Sequence, residues 1–265
     1  MTRMPLAPSH TGVPALSIVM PCYNEEGILG YTIPKLMEAF QKGGYQLELI
    51  AVDNGSKDRT GEIISKLAAQ YPGIVYHRVE VNIGYGNGIL QGIPLCTAPW
   101  AGMIPADGQV DAEDVVRLFD AALASEGQVL AKVRRRFRMD GFSRKVVSTL
   151  YNLFVRILWP SLGSIDVNGT PKILPRQALL AMRLQSKDWF LDPEIVVKAH
   201  YMGLRVLEFN AFGRLRGAGL SHVKATTCWE FFRNLIAFRV SNKWRQEFEA
   251  KQEKEQSIHI AVGKS

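Results

Sequence analysis

The 265-residue chain is 47% hydrophobic and 22% charged, a globular balance that excludes a largely disordered polypeptide and fits one large domain, or a core domain with an appended segment. Its net charge of +7 is unevenly held: residues 1–130 carry 8 Lys and Arg against 14 Asp and Glu, whereas residues 131–265 carry 24 against 11. A basic second half points to an anionic partner (nucleic acid, an acidic membrane surface or a phosphorylated substrate), with a merely soluble basic surface as the plain alternative.

Three cysteines, Cys22, Cys96 and Cys228, are too few for a disulfide framework and share no metal-ligand spacing, so a reducing cytosolic setting is expected. Residues 1–13 lack a charged start followed by an apolar stretch, so no secretory leader is expected. No uncharged apolar run reaches the roughly 18 residues that suggest a spanning helix. Residues 146–162 come nearest and are interrupted by Asn152, Arg156 and Pro160.

In chain order, residues 16–20 read as a short strand ending at Pro21, and 28–42 as a helix stopped by Gly43 and Gly44. A second strand follows at 47–52 and a second helix at 60–70. Residues 75–81 form a third strand, succeeded by a glycine-rich turn and a helix at about 88–95. A fourth strand at 100–104 leads to a helix at 113–124. This alternation predicts an α/β fold with a mainly parallel central sheet flanked by helices.

In such sheets ligands gather at the carboxyl ends of the strands. A polar cluster stands at each: Pro21-Cys-Tyr-Asn-Glu25, Asp53-Asn-Gly-Ser-Lys-Asp58, Asn82-Ile-Gly-Tyr-Gly-Asn-Gly88 and Asp107-Gly-Gln109. Singly, each has a plainer reading. Asp53-Asn-Gly-Ser suits a turn with a helix cap before Thr60, Asn24-Glu25 suits a helix N-terminus, and residues 82–88 suit an ordinary glycine loop. Four clusters at four successive strand ends would converge on one crevice.

Together with Val19-Met-Pro-Cys-Tyr-Asn-Glu25, Val52-Asp-Asn-Gly-Ser-Lys-Asp-Arg-Thr60, Asn82-Ile-Gly84 and Ala106-Asp-Gly-Gln109, the chain resembles family 2 glycosyltransferases of the GT-A fold. The likeness is strongest to dolichyl- or polyprenyl-phosphate sugar synthases, through Asp192-Pro-Glu194, Gly203, Glu208, Arg216-Gly-Ala-Gly-Leu-Ser221 and Asp166-Val-Asn-Gly-Thr-Pro-Lys172. It covers residues 14–224, taken as the glycosyltransferase domain between a flexible N-terminus (1–13) and a basic amphipathic helical tail (225–265). The resemblance implies an inverting transfer from a UDP- or GDP-linked sugar to a polyprenyl phosphate at the cytosolic membrane face.

By the same resemblance, Pro21, Tyr23, Asn24, Glu25, Asp53, Asn82 and Gly84 line the donor site. Asp107 would hold a divalent cation, Mg²⁺ or Mn²⁺, against the diphosphate, and Gln109, on the same side of an extended segment, would add a carbonyl ligand. The family pattern places a further acidic residue two before Asp107, where this chain has Pro105. A lipid phosphate is anionic near neutral pH and needs no general base to attack; it needs cations that orient it. Arg216 and Ser221 match acceptor positions, with Arg216 grouped with Asp107 as catalytic, and Arg134 is a further acceptor candidate. The run 134–138 also reads as a solvated strand or loop face.

Two stretches carry basic residues beside helical apolar spacing: Val147, Leu150, Tyr151, Phe154 and Leu158, then Phe231, Phe232, Leu235 and Phe238 within 229–244. They fit helices lying on an anionic membrane surface, or ordinary core-facing helices. Residues 247–265 read as a frayed or disordered end. Two alternatives stay open. One is transfer to a polysaccharide or lipopolysaccharide hydroxyl, with Asp192 or Glu194 as base; the other is a non-catalytic nucleotide-sugar binding module. Nucleic acid is not expected, because strand-end acids would repel its phosphates.

Overall fold

The computed structural model describes residues 12–125, 128–138, 142–213, 225–241, 244 and 246. The first half alternates as expected: β1 (Leu16–Cys22), α1 (Leu29–Lys42), β2 (Leu47–Asn54), α2 (Thr60–Gln70), β3 (Ile74–Val79), α3 (Tyr85–Gly92), a 3₁₀ turn (Ile93–Leu95), β4 (Trp100–Met103) and α4 (Ala112–Ala124). The second half adds β5 (Val129–Arg138), α5 (Phe142–Leu158), β6 (Lys172–Pro175), α6 (Arg176–Ala181), α7 (Leu191–Tyr201), β7 (Arg205–Gly213) and α8 (Ala225–Val240). The seven strands form one sheet in the order β3-β2-β1-β4-β6-β5-β7.

β3, β2, β1 and β4 run parallel, as do β5 and β7, while β6 is antiparallel to both of its neighbours. The sheet is thus mixed and mainly parallel. β1 and β2 are buried on both faces, which is why they read as continuous apolar runs. Leu16, Ile18, Met20 and Cys22 meet α1 and α4 on one face, where Phe40, Tyr45 and Phe119 pack edge to face. Val19, Ile50 and Met103 meet the second face, covered by α3 and α5 to α8. α1 is amphipathic, burying Leu29, Ile33, Leu36 and Phe40 at helical spacing. α7 is buried from Leu191 through Ala199 and so lies inside the second layer.

α5 and α8 pack together: the Phe232 ring lies 5.8 Å from Tyr151 and 5.2 Å from Phe154. Leu235 is fully buried in the same cluster, Phe238 meets Phe190 at 5.2 Å, and Trp244 stacks on Phe238 at 4.7 Å. The described aromatics of these helices therefore face the core. Each helix still presents an outer apolar stripe: Leu150, Leu153 and Ile157 on α5, Ile236 and Val240 on α8, with Arg156, Arg233 and Arg239 exposed alongside. No helix among the described residues is long and apolar enough to cross a membrane. Residues 1–11 and 247–265 lie outside the described residues.

Because Leu235 fills the core layer, Leu235→Ala should lower unfolding free energy by about 2–5 kcal/mol. Denaturant titration checks this, and a change below about 0.5 kcal/mol would mean that α8 is not part of the cooperative core.

Candidate functional site

The carboxyl ends of β1 and β2 are laced together by their loops. Asn24 adopts a left-handed backbone (φ 54°); its N–H donates to Ser56 Oγ at 3.1 Å and its Oδ1 accepts from the Lys57 N–H at 2.9 Å. The Glu25 N–H donates to Thr60 Oγ1 at 2.8 Å, and the Glu26 N–H to Asp58 Oδ2 at 3.1 Å. Pro21, Tyr23, Asn24 and Glu25 are thereby held against the turn that begins at Asp53.

Cys22, Asp53 and Arg78 share one rung across β1, β2 and β3. The Asp53 side chain is 1% exposed; Oδ1 accepts from the Ser56 N–H at 2.9 Å and Oδ2 from Arg78 Nη1 at 3.0 Å. The turn reading of this segment is realised, and it occupies part of the carboxylate that the donor reading assigns to a nucleotide. Burial pushes the Cys22 thiol well above its ordinary value, and the nearby Glu25 and Asp53 carboxylates push it further. This thiol stays protonated and chemically inert.

Asn82 ties the third cluster in. Its Oδ1 accepts from the Gly84 N–H at 2.9 Å and from Asn54 Nδ2 at 3.3 Å, while Asn54 Nδ2 also donates to the Gly84 carbonyl at 3.0 Å. Gly84 has φ 132°, and a Cβ there would collide with the Lys187 carbonyl, so only glycine fits. That carbonyl accepts from the Asn87 N–H at 2.8 Å, and Tyr85 stacks on Trp189 at 4.5 Å. The segment before α7 is thus pinned over the loop that follows β3.

β4 hands over to the fourth cluster through the Ile104 N–H, which donates to the Val19 carbonyl at 3.0 Å. Asp107 is 7% exposed, and its Oδ1 accepts from the Gln109 N–H at 3.2 Å. Gly108 (φ 66°) makes this segment a turn, which corrects the expected extended course; the side chains of Asp107 and Gln109 are related by that turn rather than by strand alternation. Among the described residues, no three His, Cys, Asp or Glu converge on a metal position. One carboxylate with a neighbouring amide oxygen still fits Mg²⁺ or Mn²⁺, which commonly take one or two protein carboxylates and complete their shell with substrate phosphates and water.

On the other side of β6, Arg134 lies half-buried on β5 opposite Asn210. Arg216 and Ser221 lie outside the described residues. The two acids of α7 are both engaged: Asp192 pairs with Lys172, while Glu194 accepts from the Gln185 and Ser186 N–H groups and from Lys198 Nζ at 2.6 Å. Glu208 on β7 accepts from Lys132 at 3.2 Å, Ser164 Oγ at 2.7 Å and the Ile165 N–H at 2.8 Å. Lys132 and Arg78 escaped the sequence reading, and Lys172 entered it only as the last residue of the motif that begins at Asp166. A cation in or at the start of a strand does not by itself name its partner.

Residues 17–181 match the description of glycosyl transferase family 2. The chain belongs to that family. A Trichomonas vaginalis protein named dolichyl-phosphate beta-glucosyltransferase ALG5A is 26% identical over 205 residues, 73% of this chain and 64% of the relative. The undecaprenyl-phosphate 4-deoxy-4-formamido-L-arabinose transferase of Edwardsiella ictaluri is 33% identical over 139 residues, 52% of this chain and 42% of the relative. The chain thus spans less than two thirds of the length of these two curated relatives. Among solved structures, glucosyl-3-phosphoglycerate synthase from Mycobacterium tuberculosis, in complex with Mn²⁺, UDP-glucose and phosphoglyceric acid, superposes with a TM-score of 0.66 at 19% identity, covering 87% of this chain and 80% of that one. That likeness, at 19% identity, shows the fold, a GT-A-like architecture.

Burial acts to raise the Glu208 carboxyl, but Lys132, Ser164 and two backbone N–H groups favour the ionised form by more and hold it below the ordinary carboxylate value. Its stabilisation is therefore complete above the unfolded value of about 4.3 and is lost as pH falls through the lower folded value. Glu208→Gln should be less stable than the parent at pH 7 by about 1–3 kcal/mol. The gap should shrink in acid, and an equal gap at pH 7 and in the lowest-pH melt would contradict the assignment.

Proposed function

We propose that this family 2 glycosyltransferase moves a sugar, with inversion, from a UDP- or GDP-linked donor to a polyprenyl phosphate. The observation that carries the reading is the state of α7. A hydroxyl acceptor needs a base, and of the two candidate carboxylates, Glu194 is held by two backbone N–H groups and Lys198, and Asp192 by Lys172. A phosphate monoester arrives already ionised and needs neither. The names of the two curated relatives, each a transferase acting on a polyprenyl-type lipid phosphate, support the same acceptor class.

In this reading the nucleotide lies along the ends of β1, β2 and β3, against Pro21, Tyr23, Asn24, Glu25, Asp53, Asn82 and Gly84. Asp107 and Gln109 would hold the divalent ion, which when bound offsets charge building on the departing diphosphate. The solved relative holding Mn²⁺ with UDP-glucose supports this expectation. Arg134, Arg216 and Ser221 orient the acceptor phosphate from the basic side. One phosphate oxygen forms the bond to the anomeric carbon as the bond to the nucleotide diphosphate breaks on the opposite face. No proton has to be removed in the step.

The outer stripes of α5 and α8 suit peripheral attachment at the cytosolic face of an anionic membrane. Leu150, Leu153, Ile157, Ile236 and Val240 are all more than 45% exposed, and Arg156, Arg233 and Arg239 stand among them.

The test is release of nucleotide from UDP- and GDP-sugars with Mn²⁺, measured with a polyprenyl phosphate, phosphoglyceric acid or an oligosaccharide as acceptor. Release that depends on the polyprenyl phosphate is expected, and dependence on either other acceptor would displace the proposal. Asp107→Asn should lower the rate by about a hundredfold with an unchanged fold, and parental turnover in this variant would remove the metal assignment. Arg216→Ala should raise the acceptor KM by about tenfold to a hundredfold and leave donor binding near parental. Parental acceptor kinetics would withdraw Arg216 from the site.

A further inference from the structure

One rung of the sheet changes character from edge to edge. Val75, Ile50, Val19 and Met103 on β3, β2, β1 and β4 are followed in the same row by Lys172, Lys132 and Glu208 on β6, β5 and β7. Both lysines are fully buried. Met103 is the last residue of β4 and Lys172 the first of β6, so the row marks the level at which the middle of the sheet ends. Asp107 follows four residues after Met103. The charged end of the row thus lies on β6, β5 and β7, at the level where β4 gives way to the segment that carries Asp107.

The groups facing Lys172 come from several elements. Asp192 of α7 accepts from its ammonium, Lys132 of β5 stands beside it, and Asp166 approaches from the connection before β6. Lys132 is itself held by the Asp166 carbonyl and Glu208 of β7, while Tyr151 of α5 lies near both Asp192 and Asp188. Burial lowers the Lys172 ammonium to about 8; Asp192 acts against that shift and Lys132 with it. A buried pair of this type adds little net stability compared with apolar residues of the same volume, yet losing one member leaves the other charge uncompensated.

We infer that Lys172 is a positioning residue for the acceptor: its ammonium holds the Asp192 carboxylate and cancels its charge beneath the crevice, so that the acceptor phosphate docks over a neutral floor. This inference rests on the phosphate-acceptor reading above. With Lys172 neutral or removed, Asp192 becomes an unpaired anion close to the place an anionic acceptor must occupy. The donor, bound at the far strand ends, is affected less.

The experiment compares the parent, Lys172→Arg, Lys172→Met and the double variant Lys172→Met with Asp192→Asn, using polyprenyl phosphate from pH 6.5 to 9.5. Lys172→Met should raise the acceptor KM by about tenfold to a hundredfold at pH 7 with donor KM near parental. The double variant should recover most of that loss. The parental acceptor KM should climb as pH passes about 8. In Lys172→Arg the climb should vanish, because a guanidinium stays charged, and in the double variant it should vanish because no charge remains to unmask. If Lys172→Met fails to fold, the pH profiles of the other two still decide. A parental pH climb retained in both variants, or a parental acceptor KM in Lys172→Met, overturns the inference and leaves the acceptor class standing. A parent that never uses the polyprenyl phosphate overturns both.

Discussion

β6 enters the sheet antiparallel between β4 and β5, and the organisation of the crevice depends on that single reversal. An antiparallel strand begins where its parallel neighbour ends, so Lys172 starts β6 at the level of Met103, the end of β4. The middle of the sheet stops there, while β5 and β7 continue on one side and the loops after β1 and β2 rise on the other. The sheet therefore has a step at the start of β6. The starting rung of β6 carries Lys172, with Lys132 and Glu208 on the strands beside it, rather than the apolar residues of the other half.

The two walls are built by different physics. On the donor side, backbone N–H groups and short polar side chains satisfy one another across loops, as Asn24 does with Ser56 and Lys57, and Asn82 with Asn54 and Gly84. Such bonds are individually modest but leave few alternatives for the backbone. On the side of β5 to β7, buried ions hold buried ions. Lys132 with Glu208, Lys172 with Asp192 and Lys198 with Glu194 each remove charge from water, which is expensive unless the partner is fixed. In the proposed reading, the same pairs engage the two carboxylates of α7 that a hydroxyl acceptor would call on as bases.

α5 and α8 show how a helical apolar pattern divides once partners are present. Tyr151, Phe154, Phe232, Leu235 and Phe238 turn inward and join the second core layer, whereas Leu150, Leu153, Ile157, Ile236 and Val240 turn outward beside arginines. Each helix has apolar residues on more than one face, so it packs and still offers an unpaired stripe. Among the described residues, the aromatic side chains, with the largest area to bury, take the inward positions.

The sequence by itself determined the parallel half of the fold and the clusters at its strand ends. Strands β1, β2 and β4 are short apolar runs, the intervening helices are amphipathic, and each cluster is contiguous in the chain, so local pattern suffices. It also determined the family, because those clusters are local as well. The tertiary structure alone decided how the isolated cations are used. Nothing near Lys132, Lys172 or Arg78 in the chain names Glu208, Asp192 or Asp53 as a partner, since the pairs are separated by 76, 20 and 25 residues and meet only through strand register or helix docking. Likewise β6 is four residues long, too short for periodicity to reveal its direction. That direction follows from the chain's route through α5, and it sets Lys172 level with the end of β4 and beside Lys132.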